Sequence, residues 1–181
     1  MQGYRRNRIP GATYFFTVNL LDRSSALLVD EITNLRASVV TIRQQHPFHI
    51  DAWVVLPDHM HCLWTLPEGD SDYPTRWRKI KAAFSHQTPT PASRNKSRSQ
   101  KHERDVWQRR YWEHTIRDDR DYTAHIDYVH FNPVKHGYVA NVAAWPYSTF
   151  HRCVAKGLFP ANWAAPSDLA NAGERANYKA P

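Results

Sequence analysis

The chain is poor in cysteine: Cys62 and Cys153 are the two in 181 residues, far apart and without a paired spacing. That excludes a disulfide framework and a zinc knuckle, and it predicts a protein of the reducing cytoplasm. Long apolar runs are missing as well. No stretch approaches the roughly 18 residues that a membrane span needs. Met1 to Pro10 is polar and arginine-rich, so neither an exported nor a membrane-embedded protein is expected. No internal repeat is visible, which argues against a solenoid. A chain of this length is expected to form one core with decorated ends.

What is abundant is positive charge and aromatic surface. Lysine and arginine number 24 against 17 acidic residues, a formal charge of +7, and aromatics make up 13% of the chain with seven tryptophans. A basic balance favours a polyanionic partner, nucleic acid first, through long-range steering and counterion release. A merely soluble basic surface has the same composition, so charge alone decides nothing. The aromatic content exceeds what packing needs, which predicts that some rings face a ligand.

Thr13 to Leu20, T-Y-F-F-T-V-N-L after Pro10-Gly11, reads as a first strand. Asp30 to Gln45 places Ile32, Leu35, Val39 and Ile42 at helical spacing. Phe48 to Val55 and Met60 to Leu66, split by Leu56-Pro57-Asp58, form a predicted hairpin. Tyr73 to Phe84 reads as a helix with a basic outer face, and the polar, proline-punctuated stretch 88–104 as a mobile basic loop. Arg109 to Ile116 is a further strand. Asp118 to Phe131 is a helix capped near Asp118 or Asp119. The order predicts an α+β, ferredoxin-like split β-α-β fold, with an antiparallel sheet carrying helices on one face. A domain over 1–150 and an irregular C-terminal extension over 151–181 complete the expected organisation.

The chemistry concentrates at two places. His59 and His61 are two apart on a strand and so project from one face, where paired imidazoles can hold a metal; with eleven histidines in the chain the spacing also arises by chance. Tyr128 and Asn132 are four apart and share a helix face, with Pro133 placing Asn132 at or near the helix end. Tyr128 is then either a nucleophile or a core tyrosine, and Asn132 either a ligand or a cap. Glu113 and His114 can position substrate, accept a proton or form a surface ion pair. Lys135 and His136 can meet a phosphate or complement the helix dipole. A basic track is expected from Tyr4, Arg5, Arg6 and Arg8, from Arg76, Arg78, Lys79 and Lys81, and from Arg109 and Arg110. Trp107 and Trp112 are candidates for stacking unpaired bases.

The segments L-P-D-H-M-H-C-L-W, Y-W-E-H, D-Y-V-H-F-N-P-V-K-H-G and W-P-Y-S-T resemble the REP-associated tyrosine transposases, single-tyrosine members of the HUH nuclease group. The likeness runs from about Tyr4 to Phe150, and its most specific part is the N-P-V-K-H-G segment taken together with the histidine pair. It implies Tyr128 as the catalytic tyrosine and His59, His61 and Asn132 as metal ligands, where related insertion-sequence enzymes often carry glutamine in the last place. It implies Mg2+ or Mn2+ as the working ion, with zinc or nickel able to bind more tightly. Single-stranded or hairpin DNA of the REP type is the implied partner, cut through a 5′-phosphotyrosine, in a cytoplasmic, nucleoid-associated enzyme that can act as a homodimer. The rivals are a non-catalytic hairpin-binding regulator and a metal phosphodiesterase that uses water.

Overall fold

The strand T-Y-F-F-T-V-N, β1 (Thr13–Asn19), is buried at its five central positions, so both of its faces are covered. A strand with apolar side chains at both parities must lie inside a layered structure rather than on a half-solvated sheet. The computed structural model describes residues 6–88 and 104–164. After β1 come α1 (Leu27–Asp30), α2 (Ile32–Gln45), β2 (His49–Val55), β3 (His59–Thr65), α3 (Tyr73–Gln87), β4 (Trp112–Thr115) and α4 (Asp119–Lys135). A 3-10 turn (Val142–Ala144) and α5 (Phe150–Ala155) follow. The strands form one antiparallel sheet in the order β2-β3-β1-β4, as the split β-α-β arrangement requires.

The helices divide between the two faces, where the sequence pattern suggested one. Tyr14, Phe16 and Val18 join Trp53, Met60 and Trp64 in a core with α2 and α3. Phe15 points the other way, into a second core with Val54, Leu63 and Ile126, Tyr128 and Val129 of α4. The reason lies in β1 itself, whose consecutive aromatics at 14, 15 and 16 supply an apolar surface to each side. Most of the aromatic excess is spent on the first core, where the Trp64 and Trp77 rings stack at 4.2 Å.

Basic residues on α3 are not all outward. Arg76 is 2% exposed. Its guanidinium grips the Asp70 carboxylate (2.6 Å) and donates to the Pro47 carbonyl (2.6 Å), with further bonds to the carbonyls of His46 and Asp72. The hydrogen bond from Arg76 leads the causes that hold the Asp70 carboxyl below its ordinary range, against partial burial. Arg76 thus ties the α2–β2 turn to α3 and has no donor left for a phosphate, contrary to its expected place in a DNA track. Arg76→Met is expected to cost about 2 kcal/mol in chemical denaturation, since it strands those carbonyls and the carboxylate. DNA affinity at fixed salt should stay unchanged.

The segment after Trp145 is also more than an irregular tail. Residues 147–149 run along the outer edge of β2, with Val55 N–H donating to the Tyr147 carbonyl (2.9 Å) and Thr149 N–H to that of Trp53 (2.8 Å). This covers a sheet edge that would otherwise template association. The expected domain limit at 150/151 falls inside α5, whose Phe150 and Cys153 are buried. The expected loop 88–104 lies outside the described residues apart from its two ends. No helix among the described residues is long and apolar enough to cross a membrane.

Candidate active site

The tight turn Leu56-Pro57-Asp58, closed by Leu56 N–H on the His59 carbonyl (2.8 Å), starts β3 at His59. Cross-strand register sets His59 opposite Asn19 and His61 opposite Thr17, on the face that α4 covers. Both imidazoles are buried and their ring centroids are 5.0 Å apart. Each has its Nδ1 occupied: that of His59 pairs with Asp58 Oδ1 at 2.7 Å, and that of His61 with Thr17 Oγ1 at 2.9 Å. An imidazole anchored at Nδ1 presents Nε2, the arrangement by which an outer partner orients a metal ligand. His61 Nε2 is buried without a hydrogen-bond partner among the described residues.

The electrostatics suit ligands. Burial pushes the His61 pKa well below its ordinary value, and the neighbouring His59, His136, Lys135 and Arg23 push the same way, so the ring stays neutral and keeps its lone pair. Burial opposes ionisation of Asp58, yet its bonds and charge contacts with His59 and Arg23 together outweigh that and hold the carboxyl at about 2.

Opposite the pair stands α4. Asp118 caps it, accepting from Asp121 N–H at 2.8 Å. The helix does not stop before Pro133 as the proline rule suggested; it runs to Lys135 with Pro133 in its last turn. It ends in a Schellman motif: Tyr138 N–H donates to the Pro133 carbonyl (3.0 Å) and Gly137 N–H to that of Val134 (2.9 Å), with Gly137 at φ 73°. Asn132 therefore sits within the helix, three residues before its last, fully buried and not capping it. Its Oδ1 and Nδ2 both lack a hydrogen-bond partner among the described residues. One turn earlier the Tyr128 ring packs edge-on against His61 at 5.2 Å, and Lys135 Nζ lies 4.8 Å from the Tyr128 ring centroid. His136, just past the helix, approaches His59 with ring centroids 5.2 Å apart.

The structure thus brings Tyr128 against His61 and His136 against His59, with Lys135 over the Tyr128 ring and the buried Asn132 one helical turn on from Tyr128. Asp58, Thr17 and Arg23 were not anticipated as contributors. Asp58 adjoins the histidine in sequence and was legible there, whereas Thr17 becomes visible only once the β1–β3 register is known. The other expected DNA contacts scatter. Glu113 is buried beneath Arg6 and Tyr73, and Trp112 packs on Phe15 at 5.5 Å. Lys79 meets His46 at 2.7 Å, and Arg110 is exposed. His114 binds Asp121, and Tyr4 and Arg5 lie outside the described residues. Arg6, Arg8, Arg78, Lys81, Arg104 and Arg109 line a cavity of about 770 Å³ between α3 and the segment 104–111, floored in part by Trp107. None of Tyr128, His59, His61 and Asn132 lines it, because α3 belongs to the face opposite α4.

No protein-family model matches the chain. It is 49% identical over 175 residues to the REP-associated tyrosine transposase of Escherichia coli (strain K12), covering 97% of this chain and 98% of that protein. A Haemophilus influenzae protein (strain ATCC 51907 / DSM 11121 / KW20 / Rd), provisionally given the same name, is 43% identical over 175 residues, covering 96% and 99%. A solved structure of the REP-associated tyrosine transposase bound to a REP hairpin superposes with a TM-score of 0.83 at 49% identity, covering 97% of this chain and 98% of that one.

Proposed function

Since the chain belongs to the REP-associated tyrosine transposases, we propose that it cuts and rejoins single-stranded DNA beside a REP-type hairpin, with Tyr128 as nucleophile. The family implies a divalent metal, and His59, His61 and Asn132 would hold it. The observation that carries this assignment is the buried Asn132 amide, which has no partner for either polar atom among the described residues and lies one helical turn from Tyr128. A polar group is left unpaired at such a cost when something outside the chain completes it. Two imidazoles and an amide oxygen leave coordination positions open, and of Mg2+ and Mn2+ this nitrogen-rich set suits Mn2+ better. The bound cation would supply charge neutralisation at the scissile phosphate.

The chain's own residues do the rest. The Tyr128 oxygen attacks phosphorus and gives its phenolic proton to solvent, the bond to the 3′ oxygen breaks, and that oxygen takes a proton from solvent and departs as a 3′ hydroxyl while the DNA 5′ end remains linked as a phosphotyrosine. The Lys135 ammonium beside the ring offsets charge on the attacking oxygen. Attack by another 3′ hydroxyl on the phosphotyrosine reverses the sequence and transfers the strand. The contact of Tyr128 with His61 of the same chain supports catalysis in cis, without need of a homodimer. The basic cavity on the α3 side suits a phosphate backbone, with Trp107 able to meet a base, so the DNA would pass around the β4 edge to reach Tyr128.

Denaturing electrophoresis of an end-labelled REP-type oligonucleotide, with and without Mn2+, tests the proposal. A metal-dependent band of protein-linked DNA is expected. Cleavage without any linked species would make the enzyme a water-using phosphodiesterase, and binding without cleavage a regulator.

The outer partners of the histidines allow a quantitative check. Asp58→Asn is expected to weaken metal affinity by about 10- to 100-fold in calorimetric titration. It should also alter acid stability. The folded-state Asp58 pKa of about 2 lies below the ordinary 3.8, so its contribution is complete above about pH 4 and disappears as pH falls through about 2. Acid unfolding of the Asn variant should lack that part of the slope.

A further inference from the structure

The face of α4 that carries Tyr128 also carries Asp121, seven residues earlier, and His125, three residues earlier. From β4, His114 points at the same spot. Its Nε2 lies 2.8 Å from Asp121 Oδ2, while His125 Nδ1, which donates to the Asp121 backbone carbonyl (2.8 Å) and so leaves Nε2 as its free lone pair, lies 3.1 Å from Asp121 Oδ1. The two imidazoles stack with centroids 4.8 Å apart and planes 16° from parallel. One ring nitrogen of each and a carboxylate oxygen all lie within 4.8 Å of one another.

We propose that His114, Asp121 and His125 form a second metal site, separate from the His59 and His61 pair, that takes a Zn2+-like transition-metal ion. Two imidazoles and one carboxylate are a recurrent donor set for Zn2+, leaving a fourth position for water. The donors come from a strand and from two successive turns of a helix, so little ordering remains for binding to accomplish. Asp121 is also fixed from outside, accepting from Arg117 N–H at 3.1 Å. The Arg117 guanidinium, on the same carboxylate oxygen at 3.2 Å, is 74% exposed and can swing into solvent when a metal arrives. Burial holds His125 towards its neutral form, the form that binds metal. The His114 and His125 side chains are 26% and 20% exposed, so an ion has a way in.

A metal here clamps β4 to the first turns of the nucleophile's helix. His125 also touches the Phe15 ring (4.8 Å), which in turn packs against both Tyr128 (5.8 Å) and His61 (5.6 Å). The site is therefore a positioning device for α4.

The test uses the full chain with His59→Ala and His61→Ala, stripped of metal, so that the catalytic pair cannot contribute and failure of one reading leaves the other standing. Calorimetric titration with Zn2+ is expected to show one equivalent bound, and Zn2+ should raise the melting temperature. Adding His114→Gln and His125→Gln, which keep hydrogen-bonding capacity towards Asp121, should weaken binding at least about tenfold and remove the melting shift. Metal-free melts of both forms check that each is folded, and a collapsed Gln form is replaced by Asp121→Asn. Absence of a stoichiometric Zn2+ equivalent, or equal binding with and without these substitutions, overturns the proposal and leaves the cluster as a strand–helix hydrogen-bond staple.

Discussion

Tyr128→Phe is expected to abolish protein-linked DNA and to lower cleavage by about 10⁴-fold or more, the scale seen when a covalent nucleophile is removed. The substitution deletes one oxygen and leaves the ring where it is. The edge contact with His61, the packing on Phe15 and the Lys135 ammonium beside the ring all depend on the aromatic body and survive. Binding of a REP-type hairpin should accordingly stay within about threefold, because the basic groups of the α3 cavity are untouched and phosphate contacts dominate affinity. The readouts are an electrophoretic mobility shift for binding and a denaturing gel for the covalent species. Retained cleavage in the Phe protein would assign the chemistry to water and displace Tyr128 from its role.

The contrast between Tyr128 and Arg76 shows which parts of the molecule were legible in the sequence. Two apolar runs split by Leu56-Pro57-Asp58 placed β2 and β3 within a residue or two, and the two-residue period of a strand put His59 and His61 on one face. Four-residue spacing put Tyr128 with Asn132. Such local periodicities survive folding because the strand and the helix impose them. What could not be read are facts of register and of burial. Thr17 orients His61 from a strand more than forty residues away. Arg76 looks like its neighbours Arg78 and Lys79 in composition, yet faces two carbonyls at the end of α2. The single-face expectation for the helices failed because a continuous apolar strand does not say how many layers cover it. Pro133 misled for a different reason. A proline in the last turn of a helix forfeits one hydrogen bond, and the Schellman closure at Gly137 ends the helix in good order.

That continuation of α4 past Pro133 determines the second large effect. Because Asn132 lies inside the helix and is fully buried, its amide can be relieved neither by solvent nor by a capping role. Leucine has nearly the same shape and no polar atom. Replacing a buried, unpaired polar group by an apolar one of similar volume removes a desolvation cost of about 1 to 3 kcal/mol. Asn132→Leu is therefore expected to raise metal-free stability by about 1 kcal/mol in urea titration. The same change removes one of three proposed metal donors, so Mn2+ affinity and covalent-adduct formation should fall together by about 100-fold or more. Stability and activity moving in opposite directions is the signature of a strained functional group. A purely structural asparagine predicts the reverse pattern, in which Leu destabilises the protein and adduct formation declines only with the folded fraction. Asn132→Gln separates reach from chemistry: it keeps the amide on a stem longer by one methylene, and recovery of adduct formation relative to Leu would tie the loss to the missing oxygen donor rather than to altered packing around Tyr128.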